Sequence, residues 1–209
     1  MYVPSHFAEK NAEAVSRFLR TYPLCSLVTS GADGMFASHL PMILDPSAGE
    51  HGTLRGHLAR ANPHWRFGHK EALAIFMGVD AYVSPSLYPS KLEHGRVVPT
   101  WNYQAIQVSG TITFIDDAVF VKRTVEELTT LMESQREKPW KVSDAPEDYL
   151  EKMLHADVGV ELRIREIQAK WKLSQNRSAT DFEGVRQGLT ESENPHARQT
   201  AQAMQSLRK

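Results

Sequence analysis

Val158-Gly159-Val160-Glu161-Leu162-Arg163-Ile164-Arg165-Glu166-Ile167-Gln168-Ala169-Lys170-Trp171-Lys172-Leu173 reads as one long strand whose apolar face changes partway along. Val158, Val160, Leu162 and Ile164 share a face, because successive side chains on a strand point to opposite sides. From Ile167 onward the apolar positions are Ile167, Ala169, Trp171 and Leu173, one residue out of phase. A shifted period-2 pattern demands a bulge or sharp bend, here at Arg165-Glu166. Long bent strands are what a small barrel needs to turn its corners.

Working outward from that strand, the rest of the chain supplies shorter strands and helices. A helix is expected over Ala8 to Arg20, with Val15, Phe18 and Leu19 on one face and Pro23 closing it. Leu24 to Ser30 and Met35 to Leu44 form a hairpin through Gly31-Ala32-Asp33-Gly34. Pro41 cannot donate to a ladder, so that second strand should be an edge or should bulge. Thr53 to Leu58 is a third strand. Asn62-Pro63 starts a short helix as cap and first-turn proline. Leu73 to Gly78 and Tyr103 to Ile115, the latter interrupted by Gly110, are further strands. The proline- and serine-rich stretch between Ser84 and Pro99 is a long loop of the kind usually kept for function. Asp116 or Asp117 caps a helix to about Ser134, and a shorter one follows Pro146. Two more helices close the chain, Asp181 to Gln187, ended by Gly188, and Pro195 to Leu207. Six or seven strands with helices between and after them make an α+β protein. No G-x-G-x-x-G or G-x-x-x-x-G-K-[ST] occurs, which leaves a dinucleotide fold or a P-loop without support.

The 209 residues suffice for one domain, or one with a helical appendage, and 41% hydrophobic content can bury a real core. With 24 basic and 25 acidic residues the net charge is −1, so there is no global pull toward nucleic acid. Cys25, the single cysteine, sits between leucines and reads as a buried hydrophobe in a reducing compartment. No apolar run is long enough to span a bilayer, and Met1 to Lys10 lacks a signal peptide's basic start; a cytoplasmic protein with no membrane partner is expected. His57, His64 and His69 are spaced unlike any zinc motif, so no metal is expected. A G-x-S-x-G elbow is also missing.

Polar residues concentrate in a few segments: Ser38-His39-Leu40-Pro41, Gly56-His57-Leu58-Ala59-Arg60-Ala61-Asn62-Pro63, Tyr82-Val83-Ser84-Pro85, Pro99-Thr100-Trp101-Asn102-Tyr103 and Lys172-Leu173-Ser174-Gln175-Asn176-Arg177. Together with Met1-Tyr2-Val3-Pro4 and Phe7, these segments in this order resemble the PaiB-like family of FMN-binding negative transcriptional regulators. The resemblance covers nearly the whole chain. It departs at Ala169-Lys170-Trp171, where a glycine often precedes the Lys-Leu-Ser-Gln-Asn segment. It implies an FMN-binding split β-barrel related to pyridoxamine-phosphate oxidase, with flanking helices, a helical C-terminal tail and FMN at a homodimer interface. On that basis residues 1–175 are expected to be the barrel domain, and residues 176–209 a helical extension packed on the barrel or on the dimer partner.

Each segment then has a reading as a flavin site, beside a plain structural one. Ser38, His39 and Leu40 would offer backbone groups to the ring edge, and His57, Leu58 and Ala59 would line the ribityl chain. Arg60 and the helix start at Asn62 would meet the phosphate, with Lys172 and Arg177 as second candidates alongside Gln175 in the same segment. Trp101 would cover the ring and Asn102 donate an amide. The competitors are strand histidines, a core tryptophan, a helix cap and solvated charges.

Two functional classes stay open. The resemblance implies a repressor, with DNA as its partner; the alternative is an FMN-dependent oxidoreductase or flavin reductase of the split-barrel class. The C-terminal stretch sets Arg177, Arg186, Arg198, Arg208 and Lys209 against Asp181, Glu183, Glu191 and Glu193, too balanced for an evident DNA face. No residue announces itself as catalytic.

Overall fold

The structure, a computed structural model, describes residues 1–31, 34–67 and 70–207. Ala32 and Asp33 of the expected turn, Gly68, His69 of the histidine series, and the terminal Arg208 and Lys209 lie outside the described residues. The elements are β1 (Ala8–Glu9), α1 (Ala12–Thr21), β2 (Leu24–Gly31), β3 (Gly34–Asp45), β4 (Thr53–Ala59), β5 (Lys70–Val83), α2 (Lys91–His94), β6 (Thr100–Ile115), α3 (Ala118–Glu133), α4 (Glu147–His155), β7 (Asp157–Lys172), α5 (Ala179–Thr190) and α6 (Pro195–Ser206). Strands neighbour one another in the order β1-β7-β4-β3-β2-β5-β6, and β7 also pairs with β6, so six strands form a ring in the pairing pattern. The class is α+β, as the pattern of elements implied.

The long strand β7 shows the expected change of face. Val158, Val160, Leu162 and Ile164 are buried, Arg165 and Glu166 are both exposed, and Ala169 and Trp171 are buried on the new phase. Its first half pairs with β4 from Thr53↔Arg163 to Ala59↔Asp157, and its second half with β1 at Ala8↔Lys170 and Glu9↔Ala169. The chain folds as two compact units, and β5, β6 and β7 each run from one into the other. One unit comprises Met1–Val15, Met77–Ile106 and Gln168–Lys209; the other comprises Ser16–Phe76 and Gln107–Ile167.

Several local expectations change. The first helix starts at Ala12, because Ala8 and Glu9 are taken into β1 and Asn11 Oδ1 accepts the Ala14 N–H at 3.0 Å as a cap. Pro41 lies on no edge. It faces Leu24 at the end of the β2 ladder, and from Met42 onward β3 pairs with β4. A residue without an N–H fits where a strand changes partners. Gly188 does not end α5, which continues to Thr190. A Cβ there would meet Leu87 Cδ2 at 2.4 Å, and one at Gly184 would meet the Leu87 carbonyl at 2.6 Å, so the pair lets the helix lie close against that loop. Gly110 does not interrupt β6; it leaves room for the Arg163 carbonyl, which a Cβ would approach to 2.0 Å.

In the second unit the core is built on the inward residues of β2, β3, β4 and β7, among them Leu27, Met42, Leu54 and Leu162. Burial here pushes the Cys25 thiol up to about 12, which keeps it protonated and inert. A polar hub sits among these apolar side chains. His64 is fully buried, with Nε2 2.8 Å from Thr29 Oγ1 and Nδ1 2.9 Å from Ser38 Oγ. Asn62 Nδ2 donates to Ser38 Oγ at 2.9 Å, and Asn62 Oδ1 accepts the His64 N–H at 3.0 Å. Phe36, Phe67 and Phe114 surround the imidazole. Both ring nitrogens have hydroxyl partners, and burial lowers the pKa of the imidazole, which favours its neutral form.

The sign of the resulting pH dependence follows directly. Below the ordinary histidine value of about 6.5 the unfolded chain takes up the proton before the folded one, so this contribution is full above that pH and shrinks as pH falls. The unfolding free energy from urea titration should therefore drop between pH 7.5 and 5.5, by up to about 1.4 kcal/mol per pH unit for this one proton. His64→Gln, which does not titrate, should show a shallower dependence; an unchanged slope would remove His64 as the cause.

Candidate functional site

The expected site residues fall into two groups, one in each compact unit. In the first unit, β7 ends in a turn in which Ser174 takes φ 64°, the only non-glycine residue with positive φ among the described residues. Gln175 holds that turn: its Oε1 accepts the Leu173 N–H at 2.7 Å and its Nε2 donates to the Trp171 carbonyl at 2.5 Å. Asn102 is fully buried, and its Nδ2 donates to Ser174 Oγ at 3.0 Å. Lys172 Nζ donates to Thr100 Oγ1 at 2.7 Å and to the Trp101 carbonyl. The Arg177 guanidinium lies 4.8 Å from the ring centre of Tyr88.

These residues enclose a cavity of about 110 Å³ lined by Phe7, Thr100, Asn102, Lys172, Ser174, Asn176 and Arg177. Burial lowers the Lys172 pKa, and the neighbouring charges of Lys170 and Arg177 lower it further. Among the described residues no carboxylate lies within ion-pair distance of any of the three, although the Arg177 charge helps to lower the Asp181 carboxyl. Cations gathered with hydroxyl and amide donors around an open space are a receptor for an anion. Lys170, Thr100 and Ser174 escaped the sequence reading as members of this cluster. Lys170 alternates with Lys172 along β7, which was the available signal.

In the second unit the residues divide between core, clamp and surface. Leu40 and Leu58 are buried, and Ser38 and Asn62 belong to the His64 hub, so their side chains serve the interior. Arg60 is committed to structure. Its Nη1 and Nη2 donate to the Asp116 carboxylate at 3.0 and 2.6 Å, its Nε to the His155 carbonyl at 2.7 Å, and Nη2 also to the Asp157 carbonyl at 3.1 Å. A guanidinium so engaged ties the start of β7 to the β6–α3 turn and has little left for a phosphate.

His57 lines an apolar groove of about 280 Å³ with Pro41, Val125, Leu128, Met132 and Trp140. Its Nδ1 is buried without a partner among the described residues, and its Nε2 lies 3.9 Å from Asp157 Oδ2. Burial raises the Asp157 carboxyl, against the pull of His57 and Arg60. Sequence reading missed Asp157 because only the β4–β7 register sets it opposite the end of β4, at Ala59.

His39 is exposed, its Nδ1 3.1 Å from Ser26 Oγ. It stands on a sheet face where Val28 is flanked by Ala37 and Leu73, and Ser26 by His39 and Ile75. Ala37 on this face is exposed, Val28, Leu73 and Ile75 are half-buried, and Leu24 beside them is 62% exposed. The face is apolar and uncovered. Residues 38–40 pair with β2 only, since the β4 ladder begins at Met42, which leaves their other backbone edge outside any strand pairing.

Trp101, by contrast, projects from β6 between Thr100 and Asn102 and does not line the cationic cavity. It is 53% exposed and meets Tyr82 edge-on at 6.0 Å.

Comparison with known proteins joins this geometry to a family. Residues 1–166 match the family model described as "Putative FMN-binding domain". The chain is 34% identical to Protease synthase and sporulation protein PAI 2 of Bacillus subtilis, over 98% of this chain and 97% of that protein. Among solved structures, the flavocytochrome Anf3 from Azotobacter vinelandii superposes with a TM-score of 0.57 at 15% identity, covering 81% of this chain and 72% of that one. The FAD and heme binding protein from Mycobacterium smegmatis does so at 0.57 and 16%, covering 78% and 72%. At such identities the two structures speak for the fold alone, the flavoprotein split barrel. No helix among the described residues is long and apolar enough to cross a membrane. With the domain matched over residues 1–166 and a relative of one-third identity along nearly its whole length, the chain belongs to this FMN-binding family.

Proposed function

We propose that the chain binds FMN as a homodimer and acts as a negative regulator of transcription. The observation that carries the flavin assignment at residue level is the cavity at the end of β7, where Lys172 and Arg177 line one space with Lys170 nearby, and the carboxylate of Asp181 offsets only the Arg177 charge. A doubly charged phosphate answers that excess charge, and the Ser174 and Thr100 hydroxyls supply further donors. In the dimer, the open β3 edge at Ser38, His39 and Leu40 and the His57–Ala59 stretch of one protomer face the flavin ring and ribityl chain, while the partner supplies the phosphate pocket. The uncovered Leu24, Val28, Ala37, Leu73 and Ile75 face is the proposed contact with the second copy. The flavin supplies a redox-active ring when bound; the residues named hold and orient it.

A regulatory role draws on the relative PAI 2, whose name ties it to protease synthesis and sporulation. The oxidoreductase reading is favoured by one observation, the His57–Asp157 pair lining a groove, since a histidine beside a carboxylate can carry a proton.

Three outcomes are expected. Lys172→Ala and Arg177→Ala should each weaken FMN binding by about 10- to 100-fold, equivalent to roughly 1.5–3 kcal/mol per charge-assisted contact, and leave riboflavin binding nearly unchanged. Fluorescence titration of both flavins checks this, and equal losses for both would take these residues off the phosphate. Light scattering at micromolar concentration should give a dimer that Leu73→Glu converts to monomer; a wild-type monomer with flavin bound rejects the interface. FMN-loaded protein should retain a subset of genomic fragments at low salt, with retention falling as salt rises, and should oxidise NADH or NADPH far below the 1–10³ s⁻¹ range typical of enzymes, taken as an order-of-magnitude scale of about that span. Fast flavin-dependent oxidation without fragment retention would select the oxidoreductase.

A further inference from the structure

A cavity of about 670 Å³ lies in the first unit and shares no lining residue with the cationic one. Alternation along β6 explains the separation: Thr100 and Asn102 line the cationic cavity, and Trp101 between them lines this one. Asp80 and Tyr82 project from one face of β5, two residues apart, while Ala81 between them is buried. The C-terminal turn of α5 brings Glu191, and the start of α6 brings His196.

The chemistry of this lining is opposite to that of the anion pocket. Two carboxylates face one space with two aromatic rings, Tyr82 and Trp101, that are 50% and 53% exposed. Among the described residues no donor reaches the Asp80 carboxylate, and Glu191 accepts one neutral amide hydrogen bond, from Gln187 Nε2 at 2.9 Å. The carbonyl end of α5 adds partial negative charge, while the first N–H groups of α6 are partly satisfied by the Asn194 side chain, which accepts from His196 N at 2.9 Å. Arg198 holds the connection between the helices by donating to the Ser192 and Glu193 carbonyls at 2.7 and 2.8 Å, so the wall is braced. Half-exposed aromatic faces beside unpaired carboxylates are the surroundings a desolvated ammonium group prefers. A phosphate would be repelled.

We infer that this cavity binds a small organic ammonium ion, its charge set against Asp80 and Glu191 and its carbon skeleton against Tyr82 and Trp101. The site is separate from the flavin phosphate pocket and does not depend on that assignment.

Calorimetric titration of the full-length protein with tetramethylammonium and with n-butylammonium tests the inference, with butyrate as the control of reversed charge. Saturable binding of at least one cation, and none of butyrate, is expected. Asp80→Asn and Glu191→Gln should each weaken it by about three- to tenfold, and Trp101→Leu by a similar factor. All three variants should keep the wild-type urea midpoint within error, since the groups are on the surface. Lys172→Ala should bind the ammonium ion as the wild type does, and saturating FMN should not displace it. Absence of saturable heat, equal binding of butyrate, unchanged affinity in both carboxamide variants, or displacement by FMN would each overturn the assignment.

Discussion

The pairing of β7 with β4 along one half and with β1 along the other is the constraint on which the rest of the molecule depends. A strand that presents Val158, Val160 and Leu162 inward, then exposes both Arg165 and Glu166, then buries Ala169 and Trp171, cannot serve a single flat sheet. Its change of phase falls beside the boundary between the two compact units, so one continuous backbone contributes to two cores. Small residues make the close packing feasible within the second unit. Gly110 admits the Arg163 carbonyl, and Gly159 admits the Phe120 ring, which a Cβ would meet at 2.3 Å.

Charge is partitioned as deliberately as apolar surface. Arg60 and Asp116 neutralise each other and clamp three backbone segments, whereas Lys170, Lys172 and Arg177 gather at the end of β7 within reach of one another's charge. The first arrangement stabilises the fold; in the second, like charges lower the Lys172 pKa. An acidic, aromatic cavity lies on the opposite face of the same β6 start, so adjacent residues of one strand line two cavities of opposite charge character. The buried hub of His64, Ser38, Thr29 and Asn62 adds a polar centre whose hydrogen bonds tie β2 and β3 to the segment that follows β4.

Much of this was legible in residue order alone. Period-2 alternation located β7 and its bend, the Asp116-Asp117 pair and Asn194 announced their helices, and the segments at 38–41, 56–63, 99–103 and 172–177 resembled those of an FMN-binding split barrel. Those are local signals, set by side-chain alternation, backbone caps and short motifs, and they survive without knowledge of the partner strand. The roles of the motif residues were less legible, because a motif says which positions matter and not which way each side chain turns. Ser38 and Asn62 proved to serve the interior, and Arg60 a clamp.

By itself, then, the sequence determined the class of fold, the bend in β7 and most helix starts, since each is written in the spacing of neighbouring residues, while its motifs carried the resemblance to the FMN-binding family. Only the tertiary structure decided that Pro41 sits where β3 changes partners, that Gly188 serves a close approach instead of a helix end, that Arg60 is occupied by Asp116, and that Lys170 joins Lys172 and Arg177. The first three depend on groups far away in the chain, and the last on the turn that brings Arg177 back to the end of β7. Such contacts are set by strand register and packing, which no local pattern encodes.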